Sequence, residues 1–472
     1  MNYYIGLDLG TSSCKGVIID REGNVYGSHS VKYPVSYPAL NHSEQDPADW
    51  LRAAVEILAA LGEGRADDIR GVSIAGQMHG LVMLDGNDNV IRPAILWNDG
   101  RSEKETAYLN GIKETFEETG NVAFAGFTAP KILWVKENEP ENFRKCKKIC
   151  LPKDYLAYML TGVFSTDYSD AAGMLLLDVK NKKWSDKMCG ICGISADMLP
   201  KLYESWEPTG KLKPRFGLKN AVMCAGAGDN AASAVGTGTL NEGDCSISLG
   251  TSGTVFLPCD KFIDGAGRTL HNFCHANGKY HLMGCILSAA SCDDWWTKRI
   301  LQTGYDRFDL GRAAGTGVYF LPYLTGERCP HNDVHARGAF VGLHADTSRE
   351  DMCLAVYEGV AYALRDCIEA GGVSVKSAVL CGGGAKSALW QNTVANVLGA
   401  DIYVTEKEQF GAAMLALVGC GEYRDLNVAA SHTVRKKLAA RCDPDIAVKY
   451  GKGFETYKKL YPALRSVYSD MI

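Results

Sequence analysis

Asp229 stands in Gly228-Asp229-Asn230, just after the apolar run Val222-Met223-Cys224-Ala225, so its carboxylate falls at a strand tip. A carboxylate placed there can accept the proton of a hydroxyl as that hydroxyl attacks phosphorus. A second acid, Asp8, ends another apolar run and leads into Leu9-Gly10-Thr11-Ser12-Ser13. A Gly-Thr turn between two strands lets backbone approach a ligand and aims amides and hydroxyls at phosphate oxygens. Thr11 and Ser12 supply those hydroxyls, and Asp8 is placed to hold Mg²⁺ through water, since Mg²⁺ prefers oxygen ligands and phosphates. Lys15 can neutralise phosphate charge; a solvated strand lysine is the competing reading.

The same turn occurs again. Ser246-Ile247-Ser248-Leu249-Gly250-Thr251-Ser252-Gly253 repeats the strand and the Leu-Gly-Thr-Ser sequence about half a chain later. One such turn could be a plain hairpin. Two at equivalent positions predict a polyphosphate held between two related domains, with Gly250 and Thr251 facing Thr11. A third glycine element, Gly382-Gly383-Gly384, follows the apolar strand Ala378-Val379-Leu380-Cys381 and precedes a helix from about Ser387. Backbone that open at a helix start suits an adenosine or phosphate; a flexible turn is the alternative.

Other patterns carry less. Ala225-Gly226-Ala227-Gly228-Asp229-Asn230-Ala231 fits the loose GxGxxA dinucleotide fingerprint. It lacks the acidic strand end expected about 20 residues on, which weighs against a nicotinamide-dependent dehydrogenase. Gly210-Lys211 is followed by Leu212, so no Walker turn is present. Cys189-Gly190-Ile191-Cys192 is a lone CxxC without a second pair, and His271, Cys274, His275 and His281 cluster at irregular spacing. Neither predicts a metal site.

Strands alternating with helices must position these groups. Asp46-Pro47 opens a helix, with Asp46 as cap and Pro47 in the first turn. Trp50, Leu51, Ala54, Val55, Leu58 and Leu61 then recur at helical spacing. The alternation predicts an α/β architecture, and the duplicated turn places a boundary near Glu242-Gly243, giving domains 1–242 and 243–472. A chain of 472 residues has room for both.

Composition sets the setting. Net charge is −5 without a dense Lys/Arg cluster, which argues against nucleic acid or an anionic membrane as the main partner. No apolar run reaches the roughly 18 residues of a membrane span, and no signal peptide is visible. Seventeen cysteines without a disulfide framework suit reduced thiols in a cytoplasmic protein.

At this point a family is legible. Residues 126–138, Gly126-Phe127-Thr128-Ala129-Pro130-Lys131 onward, and the stretch from Gly338-Ala339-Phe340-Val341-Gly342-Leu343 to Ala355-Val356-Tyr357-Glu358 resemble the two signatures of the FGGY carbohydrate kinases. The resemblance covers nearly the whole chain. It implies two duplicated actin/hexokinase-like (ribonuclease H-like) domains with an interdomain cleft, with ATP and Mg²⁺ as cofactors. Within the family, Ser43-Glu44-Gln45-Asp46-Pro47, Gly76-Gln77-Met78-His79-Gly80, Leu96-Trp97-Asn98-Asp99-Gly100-Arg101 and Leu151-Pro152-Lys153-Asp154-Tyr155 are similar to kinases acting on D-xylulose. By that likeness Met78, His79 and Asn230 contact the sugar, Asp229 is the general base, and Gly382, Gly383 and Gly384 line the nucleotide side. The partners implied are a small sugar and ATP, with a homodimer allowed. Another ketopentose or polyol is the alternative substrate, and a chaperone- or filament-like ATPase is the alternative class on the same fold.

Overall fold

Tyr3–Leu9 (β1) carries apolar residues on both faces, and Tyr4, Ile5, Leu7 and Leu9 are fully buried, as a central strand requires. The computed structural model describes residues 1–303, 316–405 and 410–471. In it β1 pairs antiparallel with Ser13–Ile19 (β2), which pairs with the edge strand Val25–Lys32 (β3). On its other side β1 runs parallel to Ile69–Gly76 (β4), and Pro208–Lys211 (β5), Val222–Cys224 (β6) and the short Ala227–Gly228 (β7) complete a seven-stranded sheet.

A second seven-stranded sheet repeats this plan. Asp244–Leu249 (β8) pairs antiparallel with Gly253–Cys259 (β9), and further strands are His271–Cys274 (β10) and Tyr280–Ile286 (β11). Ser377–Cys381 (β12) runs parallel to β8 as β4 runs parallel to β1, and Asp401–Val404 (β13) and Lys437–Ala440 (β14) close the far side. In each sheet the loops at one end of the central strands therefore come together: the Gly-Thr turn, and the segment after the parallel neighbour.

Helices cover both sheets. Pro47–Gly62 (α1) begins with Asp46 accepting from Ala48 N at 2.9 Å and lies against β2 and β3. Its buried stripe is Trp50, Ala53, Ala54, Ile57, Leu58 and Leu61. Leu51 and Val55, expected inside, sit at the stripe's margin, because the sheet meets the helix on the Ala53–Ile57 side. Pro152–Thr161 (α2) and Tyr168–Ala171 (α3) lie behind β4 and β7, and Asp229–Gly236 (α4) follows β7 directly. Arg349–Ala370 (α5) and Ala388–Leu398 (α6) pack in the second half.

The chain then returns. Gly411–Gly419 (α7) leaves the second sheet and packs on β1, β4 and α4, with Leu426–Thr433 (α8) beside it, before β14 rejoins the second sheet. Val17, Ile19, Ala231 and Val235 share one apolar cluster with Phe256, Ala276, Met414 and Leu415, so the halves are joined by a common core as well as by the chain. No helix among the described residues is long and apolar enough to cross a membrane.

Candidate active site

Two cavities meet at one carboxylate. The larger, about 390 Å³, is lined by Asp8, Gly10, Lys15 and Asp229 from the first half and by Ser248, Cys381 and Gly382 from the second. The smaller, about 170 Å³, is lined by Met78, His79, Trp97, Phe127, Asp229 and Asn230, with Ser252, His271, Met283 and Arg328 from across the cleft. Asp229 and Asn230 belong to both.

Asp229 opens α4, where unpaired backbone amides favour a negative charge. Its Oδ1 accepts from Asn230 N at 2.7 Å and from Asn230 Nδ2 at 3.0 Å. Burial, together with the nearby Asp8 carboxylate, pushes its pKa up to about 7 against those hydrogen bonds. Asp8 stands opposite Lys15 in the β1–β2 register; burial raises its carboxyl too, with Lys15 pulling the other way. Two half-buried carboxylates on the wall of one polar cavity, the Asp8 charge raising Asp229, fit a divalent cation. Among the described residues no group of three or more His, Cys, Asp or Glu could hold a metal ion. Gly382 reaches the cavity with a φ of 79°, and a Cβ there would meet Leu249 O at 2.7 Å. Only glycine fits so close to β8.

The smaller cavity is built around His79. Its Nδ1 lies 2.7 Å from Gly173 O, its ring stacks on Phe127 at 4.6 Å, and its own carbonyl accepts from Thr128 Oγ1 and Lys131 Nζ, each at 3.0 Å. Burial holds the ring's pKa down to about 3 despite the Gly173 bond. The imidazole is therefore neutral. Because a carbonyl can only accept, the proton is on Nδ1, which leaves Nε2 an acceptor for a ligand hydroxyl. Met78 packs against the Gly228 backbone, where a Cβ would come 3.0 Å from its thioether.

The remaining residues singled out in the sequence fall around this centre. Thr11 Oγ1 donates to Gln77 Oε1 at 3.1 Å and accepts from Trp97 Nε1 at 2.9 Å, so the first Gly-Thr turn is tied to the smaller cavity's wall. Ser12, Gly250, Thr251, Gly383 and Gly384 line neither cavity, although Ser248, Ser252 and Gly382 beside them do. The Gly250 and Thr251 carbonyls accept from Ala290 and Ala289, which fixes the second turn to the loop after β11. In the 97–101 segment Trp97 reaches the cavity, while Asp99 and Arg101 form a buried pair (2.7 Å) that also holds Glu44 and Ser43. His271 lines the smaller cavity, a role hidden by its irregular cluster, and His275 and His281 are buried in the core. Arg328 and Phe124 carried no sequence signal, since no motif spacing links them to the first half. Cys189 and Cys192 are both buried on one short helix, and burial raises their thiols to about 11 and about 12.

Behind the shared carboxylate lies a fully buried ionic group. Lys153 Nζ is 2.8 Å from Asp154, 3.1 Å from Asp167 and 3.7 Å from Asp170. Asp167 Oδ2 accepts from Ser169 Oγ and Ser205 Oγ, and Ser169 Oγ accepts from Gly228 N at 3.1 Å. Burial works against the Lys153 charge, and the three carboxylates outweigh it, so the ammonium is retained. This chain of contacts fixes the backbone from which Asp229 projects.

Known proteins place the chain more closely. Residues 3–236 match the N-terminal domain of the FGGY family of carbohydrate kinases, and residues 245–420 match its C-terminal domain. Xylulose kinase of Escherichia coli K12 is 40% identical over 98% of this chain and 99% of its own length. Xylulose kinase of Bacillus subtilis is 38% identical over 98% of this chain and 97% of its own. The crystal structure of a "xyloylose kinase" from Brucella ovis superposes with a TM-score of 0.92 at 38% identity, covering 99% of this chain and 100% of that one. That of a gluconate kinase from Lactobacillus acidophilus superposes at 0.93 with 26% identity and complete coverage of both, 100% and 100%.

Proposed function

The chain belongs to the FGGY family of carbohydrate kinases, and from that premise we propose that it transfers the γ-phosphoryl group of ATP to O5 of D-xylulose. The observation that carries this reading is the meeting of a polar, two-sided cavity and a smaller ring-lined cavity at Asp229. One holds a polyphosphate and the other a small polyol or ketose. The carboxylate stands where the acceptor hydroxyl must meet phosphorus.

In the reaction, the ionised Asp229 accepts the O5 proton as O5 attacks the γ-phosphorus. The new O5–P bond forms, the bond from phosphorus to the β–γ bridging oxygen breaks, and ADP leaves. Asn230 holds the Asp229 carboxylate through its backbone and side-chain donors. His79 Nε2 accepts from a sugar hydroxyl, and Met78 packs beside Gly228. Lys15 and the Gly382 backbone face the phosphates, with Asp8 on the same wall. Mg²⁺, bound with ATP and reached by Asp8 through water, would neutralise charge on the phosphates. Most of the catalytic effect is then positioning and electrostatics, which suits residues drawn from dispersed loops. We place the division between the lobes at 242/243.

The test is D-xylulose-dependent ADP release by the wild type and by Asp229→Asn. The variant keeps size and polarity but cannot take the proton. Its turnover should fall by roughly 10²–10⁴-fold while D-xylulose affinity, read by calorimetry, changes little. Near-normal turnover of the purified variant removes Asp229 from the role.

A further inference from the structure

Arg328 is a charged side chain of the smaller cavity that the reaction above does not use. It comes from the second half, in Gly326-Glu327-Arg328, and its guanidinium lies 5.3 Å from the centre of the Phe124 ring of the first half. The loop beneath it is anchored. Glu327 is buried, and its Oε1 accepts from Leu287 N at 3.0 Å and from Arg328 N at 2.7 Å. The guanidinium itself has neither an ion pair nor a hydrogen bond among the described residues. Arg101, in contrast, is paired with both Asp99 and Glu44 at 2.7 Å. An arginine carries five donors and no acceptor, so a half-buried one on a cavity wall is directed at acceptors that the fold does not supply.

Ring contacts lead from the Asp229 side of the cavity to Arg328. Met78 marks the Asp229 end, against Gly228. From there the rings run from His79 to Phe127 at 4.6 Å and from Phe127 to Phe124 at 5.4 Å, and Arg328 stands over Phe124. A sugar lying along these rings with its terminal hydroxyl at Asp229 would have its other end at the guanidinium. In a 2-ketose that end is a hydroxyketone, whose C2 carbonyl and C1 hydroxyl oxygens can lie in one plane as neighbouring acceptors. A planar guanidinium fork matches such a pair. In the corresponding alditol C2 is tetrahedral and bears a hydroxyl, a weaker acceptor off that plane.

We propose that Arg328 is a specificity-determining residue, gripping the hydroxyketone end of the substrate from the second lobe and selecting 2-ketoses over alditols. The inference rests on the sugar-kinase reading above. It makes the smaller cavity complete only when both lobes contribute, with the base on one and the ketone reader on the other.

The experiment compares kcat/KM for D-xylulose and for xylitol, which differ only in oxidation at C2, in the wild type, Arg328→Met and Arg328→Lys. Thermal unfolding and affinity for a non-hydrolysable ATP analogue check that each variant is folded. In Arg328→Met the D-xylulose value should fall roughly 10–100-fold, mainly through KM, with xylitol changing by less than about threefold. Arg328→Lys keeps the charge but loses the fork, and should recover part of the affinity while still losing most of the ketose preference. If Arg328→Met does not fold, the lysine variant alone decides. A folded variant that keeps the wild-type ratio of D-xylulose to xylitol overturns the role of Arg328 and leaves the kinase reading intact. A wild type that ignores D-xylulose overturns both.

Discussion

A general base works best when its pKa lies near the working pH. Asp229 meets that condition because burial and the like charge of Asp8 push it up to about 7. In the proposed reaction the active form is the ionised one, so kcat/KM for the sugar should rise with pH through about 7 and level off above it. Asp8→Asn deletes the like charge, so in the activity that remains the midpoint should move to lower pH. A midpoint unmoved by Asp8→Asn would mean that the two carboxylates do not sense each other. His79 adds no step to this profile, because burial holds it near 3, well below the assay range. His79→Ala should raise KM for the sugar roughly 5–15-fold, the cost of one hydrogen bond, while background ATP hydrolysis changes little. At this scale the sequence was most readable where a residue's place follows from the end of its own strand, as for Asp8 and Asp229. It was least readable where partners are distant. The Thr11 hydroxyl, read as a phosphate contact, is engaged by Gln77 and Trp97, 66 and 86 positions away. Local spacing cannot specify such partners, and the same holds for Arg328.

Among the elements, the duplicated strand-turn-strand unit was visible because Leu-Gly-Thr-Ser needs the same residues wherever it forms. The parallel neighbours β4 and β12, and the glycine-rich loops after them, complete the symmetry. The return of α7 to the first sheet was not visible. A helix buried on nearly all sides, such as 411–419, has no polar face to say which sheet it covers. Gly411 shows how tight that packing is: a Cβ there would lie 1.7 Å from Ala232 O in α4. Gly411→Ala should therefore push α7 away from the helix that carries Asp229 and cost roughly 1–3 kcal/mol, measured by urea unfolding. The Lys153 group is the other structural support of α4. Removing the cation leaves three buried carboxylates without a counter-charge, so Lys153→Met should destabilise by about 3–5 kcal/mol. Wild-type stability in that variant would show that the group is not a strut for Asp229.

For the whole molecule, the two lobes contribute to both cavities, so sugar and nucleotide bound together each favour the same approach of one lobe to the other. Linkage makes the effect reciprocal. Calorimetry should find that D-xylulose and a non-hydrolysable ATP analogue strengthen each other by about 1–3 kcal/mol; equal affinities with and without the second ligand would remove lobe closure from the account. The overall plan was legible in the sequence because a repeat half a chain apart leaves few alternatives to paired domains around a cleft. The acceptor was less legible, because its choice rests on a small cavity with walls from both halves. Transfer to O5 of D-xylulose is tested by a panel of D-xylulose, D-ribulose, glycerol and gluconate, scored for kcat/KM by ADP release, with the phosphorylated position of the product fixed by NMR. D-xylulose should give the highest value, with the product phosphorylated at O5. A tenfold preference for D-ribulose or another acceptor, about 1.4 kcal/mol in the transition state, would contradict it.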